Sequence, residues 1–456
     1  MTSRIRTSVA ALCSLLALWA SSPAARPEDA VAQPPAASAD AETQLPDWSA
    51  VSRQALSLEE CLALALAHNP RLAAAHADVR MAGAGLRGAR GSDDPRVSVT
   101  GRYTLLEQAP RFTIPQMGTL VYGERKNWDL GLALQIPIYT GGKTGAYKDQ
   151  AQALLDVAIA GAARERQAVA RDTVVAYFGV LKGADMVAVA EEHLKSLAAQ
   201  EDAVRQMFEV GLVAKLDALR AEVARKAADE GLTQARNAHA TALEGLRAVL
   251  GAPPETGLAV SGIYAEVELS GELPPALAEA HEARPEVAAM RAYRRAAEAS
   301  VELAEAGRDP QFGLFAQWDF LRSSAMPETG RWMVGLGMSW SILDGRESQS
   351  AEDRARAQIE KLDAQTQSLL DGITLQVTQA LLDLGAATER LRTTEAALAS
   401  ADEAVELAAV SYANELVPLT DLLAAEVARF GAKTDHAAAV YDQRVAGAEY
   451  VFALGR

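Results

Sequence analysis

Cysteine is nearly absent from the chain: 456 residues contain two, Cys13 and Cys61. Cys13 falls in an N-terminal segment expected to be removed, which leaves Cys61 alone and excludes an internal disulfide. Proline is missing from long stretches dominated by Ala, Leu, Glu and Arg, a composition that favours long helices over loop-rich domains. Basic charge is in deficit, with 44 Lys and Arg against 60 Asp and Glu. So acidic a chain is a poor partner for nucleic acid or an anionic membrane surface. The six histidines (68, 76, 193, 239, 281, 436) are scattered and form no HExxH or Cys-paired metal pattern. TGGKTG at 140–145 resembles a phosphate loop, but Pro137 stands where its first glycine is required. No GxSxG or triad-like grouping occurs, so neither an enzyme nor a cofactor is expected.

What is present begins with the N-terminus. Arg4 and Arg6 precede an apolar stretch over residues 8–20, and Ser22-Pro23-Ala24 supplies a small-residue cleavage site. Residues 1–24 read as a secretory signal peptide, too short and wrongly flanked to span a bilayer. Its removal takes the formal net charge from −16 to −18. No later run of about 18 apolar residues is expected, hence no spanning helix. Residues 25–55, rich in Ala, Pro and Ser, read as an extended lead-in.

The remainder is a duplication. VGLVAKLDALRAEVAR (210–225) and NELVPLTDLLAAEVAR (414–429) share Leu-Val, an aspartate at the eighth position and an AEVAR ending, at an offset of 204. NPRL (69–72) matches RPEV (284–287), and DPRV (94–97) matches DPQF (309–312), both at an offset of 215. The change of 11 falls between the Asp-Pro pair and the following glycine turn, so only there is the second copy shorter. The expected units are 56–251 and 275–456, joined by a linker over 252–274.

Each unit is expected to contain the same parts. A helix of roughly 35 residues (57–91 and 275–307) opens it, introduced in the first copy by Ser57 and Glu60 at capping-box spacing. A β-hairpin follows, over about 94–138 and 309–343. Next come a helix of 65–70 residues (143–209 and 346–413), a turn (210–217 and 414–421) and a helix of about 36 (215–250 and 418–454). At about 1.5 Å per residue the long helix reaches about 100 Å, matched by the two shorter ones end to end. Ile359, Leu362, Thr366, Leu369, Ile373, Val377, Leu381 and Leu384 step by threes and fours, as in a coiled-coil seam.

The hairpins decide between a soluble bundle and something else. Residues 128–136, WDLGLALQI, are apolar at every even position, and 97–105, VSVTGRYTL, are mostly apolar at odd ones. Phe312 to Phe320 and Trp332 to Trp340 alternate likewise. Runs of 9–11 residues with large apolar groups on one face are the length and pattern of tilted membrane strands. Four of the six tryptophans (Trp128, Trp318, Trp332, Trp340) fall here, as an aromatic girdle would require. Four strands cannot close a pore, and open edges are forbidden in lipid, so several chains must share one barrel. A soluble periplasmic coiled-coil scaffold is the competing reading, and it needs these strands to be soluble.

These parts, in this order, resemble the TolC family of outer-membrane efflux and secretion ducts. The resemblance rests on SLEECLALALAHNPRL, PIYTGGK, its partner SILDGRE, and the VGLVAKLD and ELVPLTD turns, and it covers residues 56–455. It implies a mainly α fold with a small membrane β-barrel contribution. Duplicated helical hairpins would form a periplasmic α-barrel, and four strands per chain would enter a 12-stranded barrel in a homotrimer. The implied partners are a periplasmic adaptor, an inner-membrane transporter and outer-membrane lipid, with either efflux or type I secretion as the task. The two opening turns would lie at the periplasmic tip where the family closes its pore. There Asp421 matches the outer of two gate aspartates, and Ala424 stands where the second would be. Tyr412 and Asp217 match members of the polar links that hold the tip shut, while Val417 replaces an arginine of that network. A simpler role competes: Asp217 and Asp421 lie in first helical turns, where a carboxylate stabilises the N-terminus. Gly211 suits a helix C-terminus and Pro418 a helix start. Gly141, Gly142 and Gly345 are expected to permit the strand-to-helix bends.

Overall fold

The computed structural model describes residue 48 and residues 55–116, 118–121, 125–262, 273–323 and 326–456. The expected signal peptide and nearly all of the lead-in lie outside the described residues, as do residues 263–272 of the linker. The first copy contains β1 (Ala55–Leu56), α1 (Leu58–His68), α2 (Pro70–Arg90), β2 (Arg96–Leu105), β3 (Arg111–Ile114), β4 (Gly118–Val121), β5 (Lys126–Tyr139), α3 (Lys143–Glu209) and α4 (Lys215–Leu250). After β6 (Ala259–Val260), the second contains α5 (Leu273–Ala283), α6 (Pro285–Glu305), β7 (Gln311–Ser323), β8 (Met326–Ser339), α7 (Glu347–Ala413) and α8 (Leu419–Ala453).

The opening helix of each copy, expected to be continuous, is broken in two. The breaks fall at Asn69-Pro70 and Arg284-Pro285, because proline lacks an N–H and its ring pushes the preceding residue into extended backbone. Asn69 has ψ 125° and Arg284 ψ 126°, and each proline starts the next helix. Both pre-proline side chains reach the end of a returning helix. Asn69 Nδ2 donates to Val249 O at 2.7 Å, and Arg284 Nε donates to Ala453 O at 2.8 Å. The acceptors are repeat equivalents, and so are the glycines that follow. Gly251 and Gly455 have φ of 70° and 85°, and a Cβ on Gly251 would lie 2.5 Å from His68 O.

The cores repeat as well. Around this joint Cys61, Ala65, Val169, Leu246 and Leu250 are buried together in the first copy. Ala276, Ala280, Ile373, Tyr450 and Leu454, at the same two offsets, are buried together in the second. Each large side chain among them contributes about 1.5–3 kcal/mol by leaving water. Tyr177, fully buried beside the first core, donates its hydroxyl to Ser261 O. That bond fastens α3 to the short parallel pair β1–β6, which carries no sequence signal of its own. One expectation needs correction: α3 does contain an 18-residue window apolar enough for a bilayer. The same helix carries Val169, Tyr177, Phe178, Val180 and Leu181, which pack into the first core, while a third of the window is buried.

α3 and α7 are 67 residues each, about 100 Å. α3 packs against both α4 and α8, and α7 packs against α8. The four long strands form one antiparallel sheet in the order β2-β5-β7-β8. The hairpin β3–β4 lies between β2 and β5 and occupies the stretch where the first copy is longer.

Candidate functional site

Two regions carry the chemistry of this fold: the four-stranded sheet and the pair of helical turns at the far end of α3 and α7.

The register of the sheet places the apolar alternations of all four strands on one face. Val99 pairs with Leu132, Leu132 with Trp318, and Trp318 with Trp332. Val97, Leu134, Ala316 and Val334 form the next row, and Ile136, Leu314 and Leu336 the one after. This face is bare: Trp332 is 78% and Leu336 75% exposed. The opposite face carries Thr100, Arg102, Asp129, Gln135, Gln317, Asp319 and Arg331, with glycines between them. A Cβ on Gly131 would meet Thr100 Oγ1 at 2.8 Å, and one on Gly335 would meet Phe315 Cζ at 2.7 Å. β5 and β7 are paired on both sides, whereas β2 and β8 end the sheet and leave one row of backbone groups each to a neighbour.

The tryptophans divide into two groups. Trp128 stacks obliquely on Tyr103 at 4.8 Å near the end of the sheet away from the helices. Trp340 lies at the helix end and donates Nε1–H to Arg308 O at 3.0 Å. Trp318 and Trp332 instead face each other at mid-strand, within the apolar band rather than at its rim. Gly141 and Gly142, between β5 and α3, have φ of 64° and 85°. In the second copy Gly345 has φ of 64°, but Arg346 takes the other left-handed position at φ 70°.

At the helical turns the two copies use the same hydrogen bonds. Leu212 N–H donates to Met207 O and Leu416 N–H to Ser411 O, both at 2.9 Å. Gly211 N–H donates to Phe208 O and Glu415 N–H to Tyr412 O, both at 3.0 Å. Each turn needs one left-handed residue, which is Gly211 at φ 81° in the first and Glu415 at φ 59° in the second. Asp217 is the third residue of α4 and Asp421 the third of α8, and the residues before both helices, Ala214 and Pro418, cap with no side chain. Pro418 thus precedes α8 rather than starting it.

The acids differ in company. The Asp217 carboxylate accepts from Arg220 Nη1 at 3.3 Å, while Asp421 is exposed and accepts from Thr420 Oγ1 at 3.5 Å. Val204, Ala221 and Leu419 form a small core between the turns, with Val213, Ala218, Leu423 and Tyr412 against it. Val417 is half-buried beside it. The Tyr412 hydroxyl is shielded from solvent and has no hydrogen-bond partner among the described residues. Burial first, and the Asp217 charge second, push its phenol above the ordinary value. The structure thus brings Tyr412 and Asp217 into one field without a hydrogen bond between them, and leaves Asp421 outside the core.

One group had no sequence signal. Glu426 in the second AEVAR is 5% exposed, accepting from Ser196 Oγ and Arg429 Nη2, each at 2.8 Å. Its counterpart Glu222 lies on the surface and accepts from Lys226 Nζ at 2.6 Å.

A sheet with a bare apolar face and two open edges, continued by paired helices of about 100 Å, defines a class: a membrane channel. Comparison with known proteins agrees. Residues 61–252 and 276–456 match the family described as Outer membrane efflux protein, and the chain belongs to that family. The outer-membrane channel OprN superposes with a TM-score of 0.75 at 21% identity, covering 87% of this chain and 89% of that one. The CmeC outer membrane channel of Campylobacter jejuni gives 0.75 at 17% identity, over 87% and 85%. The open state of the Neisseria gonorrhoeae MtrE outer membrane channel gives 0.72 at 17% identity, over 87% and 88%. No curated protein matches the chain in sequence. The chain is an outer-membrane efflux channel, its strands in the membrane and its helical part in the periplasm.

Proposed function

We propose that three copies assemble one 12-stranded barrel, continued by a helical duct that receives substrate from a periplasmic adaptor and an inner-membrane transporter. The duct is passive and non-catalytic; the transporter supplies the energy. The observation that carries this reading is the sheet itself. Its apolar face is suited to lipid alone, and its edges β2 and β8 can be satisfied in lipid only by another copy. Residues 1–24 direct export. Trp128 and Trp340 mark the two rims of the membrane band, with Trp318 and Trp332 buried in acyl chains between them. Gly141, Gly142 and Gly345 turn the strands into the duct helices. The turns containing Gly211, Asp217, Tyr412, Val417, Pro418 and Asp421 form the inner mouth, where Asp421 projects its charge into the entrance. Purification in detergent followed by chemical crosslinking and planar-bilayer recording tests the assembly. Crosslinked trimers with a stable conductance are expected. Recovery of native protein from the periplasm without detergent would overturn the reading.

A further inference from the structure

The ties between α3 and α8 are unevenly distributed. From the joint outward, Gln167 donates to Gly455 O, Lys182 Nζ to Asp442 at 2.8 Å, Tyr441 Oη to Asp185 at 2.6 Å and Lys433 Nζ to Glu192 at 2.6 Å. The series ends at Ser196, which bonds Glu426 at 2.8 Å and accepts from Arg429 Nη2 at 3.4 Å. Beyond Ser196, α3 continues for about 20 Å to its turn. Over that length the two hairpins share only the small apolar core around Val204 and Leu419, among the described residues.

The end of the series adjoins a cavity. The His193 ring stacks on Phe430 at 4.4 Å with 19° between planes. Beside the stack lies a cavity of about 180 Å³, lined among others by Leu197, Ala224, Ala228 and Leu423. Small residues on α4 leave room there for α8 to shift. The charged groups around His193 are accounted for on each helix. α3 contributes Glu192 and Lys195, the former held by Lys433. α8 contributes Glu426, Arg429 and Lys433, whereas α4 presents only apolar residues to the cavity, its Arg236 being held by Glu191 at 2.8 Å.

We infer that the His193–Phe430 stack and the Ser196–Glu426–Arg429 cluster form a proton-sensitive fulcrum, beyond which the two hairpin tips separate when His193 takes up a proton. Burial holds the His193 pKa below its ordinary 6.5; the Glu426 charge opposes this and the Arg429 charge assists it. The neutral ring is therefore the form that fits. For a base depressed in this way, its contribution is complete above 6.5 and is lost as pH falls below that value towards the folded pKa. His193 is half-buried, and an imidazolium gains further water by moving off Phe430. In doing so it draws on the Glu426 carboxylate that Ser196 and Arg429 share.

The inference rests on the channel reading, and the test separates the two. Full-length protein and the His193→Phe variant, which keeps a ring against Phe430 but cannot charge, are recorded in planar bilayers at pH 7.5 and 5.5. Wild-type conductance is expected to rise about fivefold or more, the lower end of usual coupling between sites. The variant should match wild type at pH 7.5 and show no rise. Amide-exchange protection over 197–213 and 414–425, corrected for intrinsic rates, should fall at pH 5.5 in wild type alone. An equal pH response in both proteins, or none in wild type, overturns the fulcrum. Absence of conductance at both pH values overturns the channel reading, and the exchange measurement then decides the fulcrum by itself.

Discussion

Replacing Glu415 by glycine should stiffen the second turn. Glu415 occupies left-handed backbone at φ 59°, where its first-copy counterpart is Gly211 at φ 81°. For a residue with a Cβ this conformation costs about 1–2 kcal/mol. Nothing in the surroundings offsets it, since Glu415 is exposed and its backbone N–H already bonds Tyr412 O at 3.0 Å. Glycine removes the strain but gives the unfolded chain more freedom, worth about 0.5–1 kcal/mol in the opposite direction. The two ranges leave a net gain of about 0–1.5 kcal/mol, about 0.75 at their midpoints, confined to the turn. Global unfolding of a detergent-solubilised assembly is a poor readout of so local a change. Amide exchange over 408–425 reads it directly, and should slow about two- to fivefold. The first-copy turn at 205–217 serves as the internal control and should not change. Unchanged or faster exchange at 408–425 would show that left-handed strain at Glu415 is not stored in the turn. Slower exchange accompanied by altered gating would show that the strain is used.

Other expectations are simpler. Tyr412→Phe removes a buried hydroxyl with no partner among the described residues, so the protein should be as stable as wild type or more so by about 1 kcal/mol in thermal unfolding. Gly251→Ala combines φ 70° with a Cβ 2.5 Å from His68 O, and should destabilise the joint by about 2 kcal/mol or more, seen as a lowered Tm. Asp421→Ala should change cation preference or conductance in planar bilayers; unchanged values would leave this acid as a helix-terminus charge only. The Lys433 hydrogen bond holds the Glu192 carboxyl below its ordinary value of 4.5, which burial partly opposes. The stability from this tie is complete above 4.5 and is lost as pH falls through the lower folded value, so exchange near α8 residue 433 should quicken only below about pH 4.5.

Much of the fold could be read in the sequence because its signals were long or doubled. The 67-residue helices announce themselves by composition, and the alternating strands by a period of two sustained over nine or more residues. Where signals were short, reading failed for identifiable reasons. Asn69-Pro70 and Arg284-Pro285 sit within otherwise helical patterns, and there the steric rule for residues before proline overrides helical periodicity. The pair β1–β6 spans two residues per strand and depends on the Tyr177 hydroxyl, which no local pattern predicts. At the helical turns, the two matching stretches were legible in the sequence, but the left-handed backbone at Glu415 was visible only in the structure. The sequence could not assign environments. The two AEVAR segments are identical, yet Glu222 is solvated and Glu426 is buried, because burial is decided by which helix lies opposite. For the same reason the mid-strand level of Trp318 and Trp332 emerged only from cross-strand register.

The two unpaired edges of the sheet bear on how the protein reaches its destination. A single polypeptide carrying them has no acceptable resting place: in lipid its edges are unsatisfied, and in water its apolar face is bare. In the shared barrel proposed above, insertion and assembly are one event whose rate rises steeply with the local supply of chains. A copy with a damaged β2 or β8 would be worse than none, since it can occupy a place in the ring and prevent closure. Mixed expression of wild-type and edge-defective chains should therefore depress function far below the wild-type fraction.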